Sequence, residues 1–230
     1  MAVSTWSALG NRYVVSEGEP LTLERARELS AGADGVVEVL ERDEDSADVA
    51  IWNPDGSQTE LSGNGTRIAA CWLAEQTGAA TVSIRVGPRT VVARMLGDGI
   101  VEQELGDVQV LPRERIDGLE VVPVLVGNPH AVVEGNLDDV LEIGPRLETH
   151  PRFPDRTNVQ VVRVERAGEV SARVWERGVG ETPASGTSAV AVAAATHGEG
   201  TVVVHFPGGD LEVSLEGGRA LLRGPAVRVG

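Results

Sequence analysis

Two stretches of the chain are apolar nearly all round, and each begins at a Ser-Gly step. Residues 65–76 (GTRIAACWLAEQ) follow Ser62-Gly-Asn-Gly65 and stop at Thr77-Gly78; residues 188–197 follow Ser185-Gly-Thr187 and stop at Gly198. A helix without a polar face is a buried one, and a glycine just past its end supplies the left-handed residue that closes the last turn. Short Val-rich runs bounded by Asp, Glu and Gly read as strands, at 35–40, 47–52, 80–86, 89–95 and 100–104, then at 120–126, 159–165, 169–175, 201–206, 211–215 and 220–223. A further helix is predicted over 21–31, with Leu21, Leu23, Ala26 and Leu29 on or near one face. The charged segment 111–119 (LPRERIDGL), which contains Pro and Gly, reads as a linker. The pattern is α+β and is repeated, residues 1–113 and 114–230 each giving strands around one central helix. Such a repeat suggests a pseudo-twofold pair with a cleft between the halves.

Composition narrows the chemistry. With 230 residues and 41% hydrophobic content, the chain can bury a core as one large domain or as two of about 110 residues each. A formal net charge of −15 argues against a nucleic-acid partner, because affinity for phosphate backbones rests on clustered Lys and Arg. An anionic small-molecule substrate would need local positive potential, from arginine or helix N-termini, inside that acidic envelope. Lysine is absent, so all 20 basic residues are arginine. Neither a pyridoxal Schiff base nor a phosphate loop of the Gly-Lys-Ser/Thr type can form. The single Cys71 excludes an intramolecular disulfide and a Cys-rich zinc site, and His130, His150, His197 and His205 lack metal-ligand spacing, so no metal is expected. Neither a signal peptide nor an apolar run of membrane-spanning length is read, and the expectation is a soluble cytoplasmic protein without a membrane partner.

The two Ser-Gly turns carry the candidate chemistry. Unpaired backbone N–H groups and the helix dipole make each helix mouth a place to hold an anion, and glycine lets the backbone curl and a ligand approach. Each serine also reads more simply as an N-cap, worth about 1 kcal/mol. Asn11, Asn53, Asn128, Asn158, Glu176 and Arg177 sit at strand ends or turns. Any one of them alone reads as turn chemistry; together they supply amides and a carboxylate for an ammonium and an arginine for a carboxylate, a kit for an amino-acid head group.

These motifs resemble the diaminopimelate epimerase family, pyridoxal-independent amino-acid racemases that share a fold with proline racemase. The likeness runs through Ala8-Leu-Gly-Asn-Arg-Tyr13, Gly32-Ala-Asp-Gly35, Asn53-Pro-Asp-Gly-Ser57, Ser62-Gly-Asn-Gly65, Gly127-Asn-Pro-His130, Arg156-Thr-Asn-Val159 and Trp175-Glu-Arg-Gly-Val-Gly-Glu-Thr182, the last being the most specific. The resemblance implies two pseudo-symmetric halves, each a curved, mainly antiparallel sheet around a central helix, with the last strand free to return to the first half. It implies interconversion of LL- and meso-diaminopimelate without a cofactor, in lysine and peptidoglycan precursor synthesis, by a homodimer. In such enzymes a base on one face removes the α-proton while an acid on the other returns one. Ser62 and Ser185 then stand where the family has its catalytic pair. Gly63, Asn64, Gly186 and Thr187 would hold the reacting carboxylate. Asn11, Asn53, Asn128, Asn158, Glu176 and Arg177 would bind the rest, Arg177 and the asparagines reading the distal amino-carboxylate, which favours diaminopimelate over proline-type substrates.

The departures are as informative as the matches. The family's pair is cysteine, and a thiol near pKa 8.5 can be drawn to thiolate by a helix dipole, whereas a serine hydroxyl stays protonated and makes a poor base. Cys71, nine residues after Ser62, lies about 13 Å along the predicted helix and does not substitute. Arg12 stands where the family usually has Asp, and Ser188 where it usually has Gly. The residues leave open a designed Cys→Ser pair made to trap a substrate, a natural serine variant that keeps epimerisation, and a relative with one-base isomerase or dehydratase chemistry, for which Glu60, Glu176 and Glu181 are candidate bases. They also leave open a fold that binds an amino acid without turning it over.

Overall fold

The same series of elements is built twice. The computed structural model describes residues 2–59 and 61–230, so Glu60, one of the candidate bases, lies outside the described residues. The elements are, in order, β1 (Ala2–Ala8), β2 (Asn11–Glu17), α1 (Leu23–Leu29), β3 (Gly35–Arg42), β4 (Ser46–Trp52), α2 (Gly63–Thr77), β5 (Thr81–Val86), β6 (Arg89–Gly97), β7 (Ile100–Asp107), β8 (Gln109–Val110), β9 (Glu114–Ile116), β10 (Leu119–Leu125) and β11 (Pro129–Glu134). A 3-10 turn at Leu137–Asp139 leads into α3 (Val140–Glu148), followed by β12 (Asn158–Arg166), β13 (Glu169–Glu176), β14 (Gly180–Thr182), α4 (Gly186–Thr196), β15 (Gly200–Phe206), β16 (Gly209–Glu216), β17 (Arg219–Pro225) and β18 (Val227–Arg228).

The chain divides into two compact units, Met1–Glu104 with Arg223–Gly230, and Leu105–Leu222. In the first, β1–β2, β3–β4 and β5–β6 are antiparallel, while β2–β3 and β4–β5 are parallel across α1 and α2. In the second, β10–β11, β12–β13 and β15–β16 are antiparallel, while β11–β12 and β13–β15 are parallel across α3 and α4. Parallel neighbours need a crossover and antiparallel ones only a turn, so helices fall at the same two places in each unit. Even the irregularities match: the ladder slips at Val39/Glu41 in one unit and at Val164/Arg166 in the other. The fold is therefore α+β, two halves of one internal topology. Within the first unit, β18 pairs with β1, Trp6 opposite Arg228 and Ser7 opposite Val227.

The central helix of each unit is buried because its sequence offers no polar face. Ile68, Ala69, Ala70, Trp72 and Leu73 of α2 pack with Val15, Val37, Ile51 and Ile84 from the sheet. Each fully buried Ile or Leu contributes about 1.5–3 kcal/mol of transfer free energy. Gly78 ends α2 at φ 78°, as its place in the sequence predicts. In α4 every residue from Gly186 to Ala194 is buried.

Three expectations change. The helix predicted over 21–31 is shorter, because Thr22 caps it by accepting from Arg25 N at 3.2 Å while Leu21 N–H goes to the buried Glu38 carboxylate at 2.6 Å. The segment 111–119 is not a linker: Glu114–Ile116 pairs with β10 through a turn at Asp117-Gly118, both at positive φ (48° and 85°), the hairpin signature of Asp-Gly. Helix α3 is an element the hydrophobic pattern did not predict. Its Gly144 is a packing requirement, since a Cβ there would lie 2.6 Å from the Trp175 side chain.

Candidate active site

In the first unit the candidate residues gather at the start of α2. Ser62, extended at φ −131° and ψ 115°, is the N-cap, and its Oγ accepts from Gly65 N at 3.0 Å. Gly65 permits this closeness: a Cβ would lie 2.9 Å from Ile51 Cδ1 and 3.3 Å from Ser62 Oγ. Tyr13 Oη, reaching from β2, lies 3.3 Å from the same serine oxygen. The first turn is stiffened from within by Arg67, a guanidinium with no exposure at all, which donates to Gly63 O at 3.0 Å, to Asn64 Oδ1 at 2.7 Å and to Pro225 O at 3.4 Å. Burial lowers the Arg67 pKa to about 10, a fall opposed by the anionic forms of Cys71 and Tyr13. Burial likewise pushes the Cys71 thiol up to about 11. Cys71 donates to Ala226 O at 3.4 Å.

The remaining first-unit candidates occupy turns. Asn11 is buried where the β1–β2 hairpin turns, its Nδ2 donating to Ala8 O at 3.2 Å. Arg12 is exposed, and its backbone N–H donates to Asp34 Oδ2 at 2.7 Å. Asn53 closes its own loop, Nδ2 donating to Ser57 Oγ at 3.0 Å. The preceding Trp52 is anchored by its indole N–H, which donates to the buried Glu38 at 2.7 Å.

The second unit ties its candidates into a connected set. Asn158, at the start of β12, donates through Nδ2 to Pro129 O and accepts through Oδ1 from Arg177 N, both at 3.0 Å. That one side chain joins the Asn128 segment to the Glu176-Arg177 turn. Asn128 Oδ1 accepts from His130 Nε2 at 2.7 Å, and His130 Nδ1 faces Gln160 Nε2 at 3.0 Å. Gln160 Nε2 also donates to Ser188 Oγ in the first turn of α4, at 2.9 Å. An amide oxygen only accepts and an amide nitrogen only donates, so Nε2 of His130 carries the proton, Nδ1 accepts from Gln160, and the ring is neutral. Burial lowers its pKa to about 3. Below this set, buried Glu148 accepts from Trp175 Nε1 at 2.7 Å, from Gly178 N at 2.8 Å and from Arg156. Trp175 precedes Glu176 as Trp52 precedes Asn53, each indole held by a buried carboxylate.

At the mouth of α4, Ser185 is the N-cap residue by backbone conformation, yet its side chain makes no capping hydrogen bond, and the residue is only 3% exposed. The expectation of two serine caps therefore holds for Ser62 alone. Gly186 and Thr187 are buried in the first turn. Glu176 accepts from Thr182 Oγ1 at 2.5 Å. Glu181 is engaged by Arg173 at 2.7 Å, which weakens its candidacy as a base. Among the described residues, no group of three or more His, Cys, Asp or Glu is clustered as metal ligands would be, and no helix is long and apolar enough to cross a membrane. Sequence reasoning assigned no role to Tyr13, Arg67 or Gln160; Tyr13 does lie inside a quoted motif and Arg67 two residues past another, the signal available for them.

The fold defines a class first. It is shared with a predicted epimerase from Pseudomonas aeruginosa, at a TM-score of 0.77 and 15% identity over 99% of this chain and 96% of that one. It is shared equally with a hydroxyproline epimerase from Agrobacterium vitis solved with bound trans-4-hydroxy-L-proline, at 0.74 and 16% over 99% and 90%. Sequence then narrows the class. The family model described as diaminopimelate epimerase matches residues 122–229. The chain is 36% identical over 266 aligned positions to the diaminopimelate epimerase of Synechococcus elongatus, covering 97% of this chain and 94% of that protein. Against the enzyme of that name from Desulforudis audaxviator it is 36% identical over 270, covering 100% and 97%. The chain belongs to the diaminopimelate epimerase family, whose members are cofactor-independent isomerases.

Proposed function

We propose that this protein interconverts LL- and meso-diaminopimelate by cofactor-free proton transfer at the α-carbon, with Ser62 and Ser185 as the proton-transfer pair. The carrying observation is that both serines start buried helices in a chain 36% identical to diaminopimelate epimerases over nearly its whole length. Removing an α-proton leaves charge that spreads into the neighbouring carboxylate. Helix N-terminal N–H groups at Gly63-Asn64 and Gly186-Thr187 are the donors for that charge, already oriented before reaction. Inversion needs one group to accept and another to donate, and the two exchange roles with the direction of reaction. Asn11, Asn53, Asn128, Asn158, Glu176 and Arg177 bind the rest of the substrate. In this reading the enzyme works in the cytoplasm as a homodimer, supplying a precursor of lysine and peptidoglycan.

Incubation with LL-diaminopimelate in heavy water tests the reading. The expected result is meso product carrying α-deuterium, read by mass and chirality. Saturable binding with neither exchange nor inversion would show a binder instead. Conversion of both serines to cysteine is expected to raise the rate, because a thiolate at a helix mouth is a far better base than a hydroxyl.

A further inference from the structure

Asn158, Glu176 and Arg177 stand at element ends: Asn158 opens β12, Glu176 closes β13, and Arg177 lies in the turn before β14. Turns and strand ends are where backbone mobility concentrates, yet gripping an ammonium and a carboxylate together requires opposite charges held at fixed positions. In the second unit one side chain supplies that constraint. Glu148, the last residue of α3 and only 5% exposed, accepts from Trp175 Nε1 at 2.7 Å, from Gly178 N at 2.8 Å and from Arg156. Its backbone carbonyl accepts from Thr157 N at 3.2 Å. Trp175 immediately precedes Glu176, Gly178 immediately follows Arg177, and Arg156-Thr157 immediately precede Asn158. All three candidates are thus clamped at their chain neighbours. Only a carboxylate suits the hub: three side-chain and backbone donors converge on it, an ionised carboxylate does nothing but accept, and a glutamine amide would turn its NH2 toward them.

The backbone is bent to meet this side chain. Gly178 lies at φ 78° and Arg156 at φ 62°. The other described non-glycine residues at positive φ, Leu9, Asp98 and Asp117, are each followed by glycine in a two-residue hairpin turn, whereas Arg156 is followed by Thr157. An arginine in the left-handed region is strained, and this one is kept where its guanidinium reaches Glu148. The first unit is built differently. Glu38 holds Trp52 as Glu148 holds Trp175, but its other bond goes to Leu21 N, and the loop after Asn53 closes on itself through Ser57. The bracing on both sides of a turn falls in the unit that carries the opposite charges.

We propose that Glu148 is a positioning residue for the distal amino-carboxylate of the substrate, holding Asn158, Glu176 and Arg177 in register through Arg156, Thr157, Trp175 and Gly178; this rests on the reading that those three residues bind that head group. Its carboxylate contacts no substrate, and no proton moves through it. What it decides is selectivity. With the charges fixed, a substrate carrying a second amino-carboxylate meets prearranged partners, and one with an apolar end leaves them unpaired.

Native protein, Glu148→Gln and Arg156→Gln decide the matter, each compared also in a background in which both serines are cysteine. Glu148→Gln is expected to raise KM for LL-diaminopimelate by about 10- to 100-fold with kcat changed less than about threefold, since only the distal grip is loosened. Arg156 is exposed, so Arg156→Gln is the variant that keeps the fold, and it is expected to raise KM about threefold. A fall in kcat at unchanged KM, the mark of a smaller folded fraction, would overturn the proposal and leave Glu148 a packing residue. A second measurement, amide hydrogen exchange read by NMR, needs no substrate. Glu148→Gln is expected to speed exchange at Arg177 and Gly178 by about 10-fold or more, while Val161, inside the ladder of β11, β12 and β13, keeps its protection. Unmoved exchange at Arg177 and Gly178, or an equal loss at Val161, overturns the clamp whether or not diaminopimelate is a substrate. If exchange moves as expected and neither the native protein nor its cysteine counterpart turns over diaminopimelate, the substrate reading fails and the clamp stands.

Discussion

At the mouth of α2 the serine hydroxyl is held by a backbone N–H and faced by a phenol; at the mouth of α4 the equivalent hydroxyl makes no capping bond, although its residue is almost wholly buried. The two turns share a sequence step and a topological position, and they differ in what fixes them. Around Ser62 the stiffening comes from Arg67, a buried positive charge reaching the first-turn carbonyl of Gly63 and the Asn64 side chain. Around Ser185 it comes from a neutral chain, Ser188 to Gln160 to His130 to Asn128. Capping explains a serine at position 62 and leaves one at 185 without a structural task. The difference also separates the two electrostatically: the α2 mouth is braced by a buried guanidinium, and the α4 mouth by a chain that ends in a neutral imidazole.

The largest test of this contrast uses alanine at each serine. Ser185→Ala is expected to lower the epimerisation rate by about 100- to 10,000-fold while leaving the urea unfolding midpoint within about 0.5 kcal/mol of native. Ser62→Ala is expected to lose activity on the same scale and to cost about 1 kcal/mol of stability as well, its cap being real. Equal destabilisation by the two would erase the distinction. A smaller effect is expected from Gly65→Ala, which would push a methyl against Ile51 and the Ser62 hydroxyl; overpacking of that kind costs about 1–3 kcal/mol and would show in the same unfolding curves.

The smallest effect at neutral pH concerns His130, and it grows on acidification. Folded, its ring stays neutral down to about pH 3 because burial disfavours the charged form, whereas the unfolded chain protonates it near its ordinary 6.5. Between those values the unfolded state binds the extra proton, so stability contributed by the neutral ring is present above 6.5 and is lost as pH falls through the window. His130→Gln should flatten that loss in denaturation curves taken across it. An unchanged slope would show that the second unit's acid sensitivity lies elsewhere.

What the chain revealed before folding, and what it hid, follows the reach of each interaction. The central helices were legible because apolar residues all round and a glycine stop are local signals. The β9–β10 hairpin was hidden by charge: Arg113, Glu114 and Arg115 drew attention from the Asp117-Gly118 turn beside them. Helix α3 was hidden by Gly144 and Pro145, and the reason for Gly144 is Trp175 on a strand that follows much later in the chain. At the candidate site, the serines and asparagines were readable as motif positions. The environment of Ser62 was not, since Tyr13 lies 49 residues before it and the carbonyl met by Arg67 lies 158 residues after that arginine.

Residues 223–230 belong to the first unit although the whole second unit precedes them in the chain. Pro225 and Ala226 supply the carbonyls that receive Arg67 and Cys71, and Val227–Arg228 supplies the strand beside β1. On a ribosome, therefore, the second unit can finish folding while the first still waits for its closing strand. The nascent protein has its guanidinium short of one acceptor and one sheet edge open until translation has passed both halves. A chain clipped before residue 223 would cut β17 (Arg219–Pro225) and leave the first unit without the Pro225 and Ala226 carbonyls and the strand beside β1.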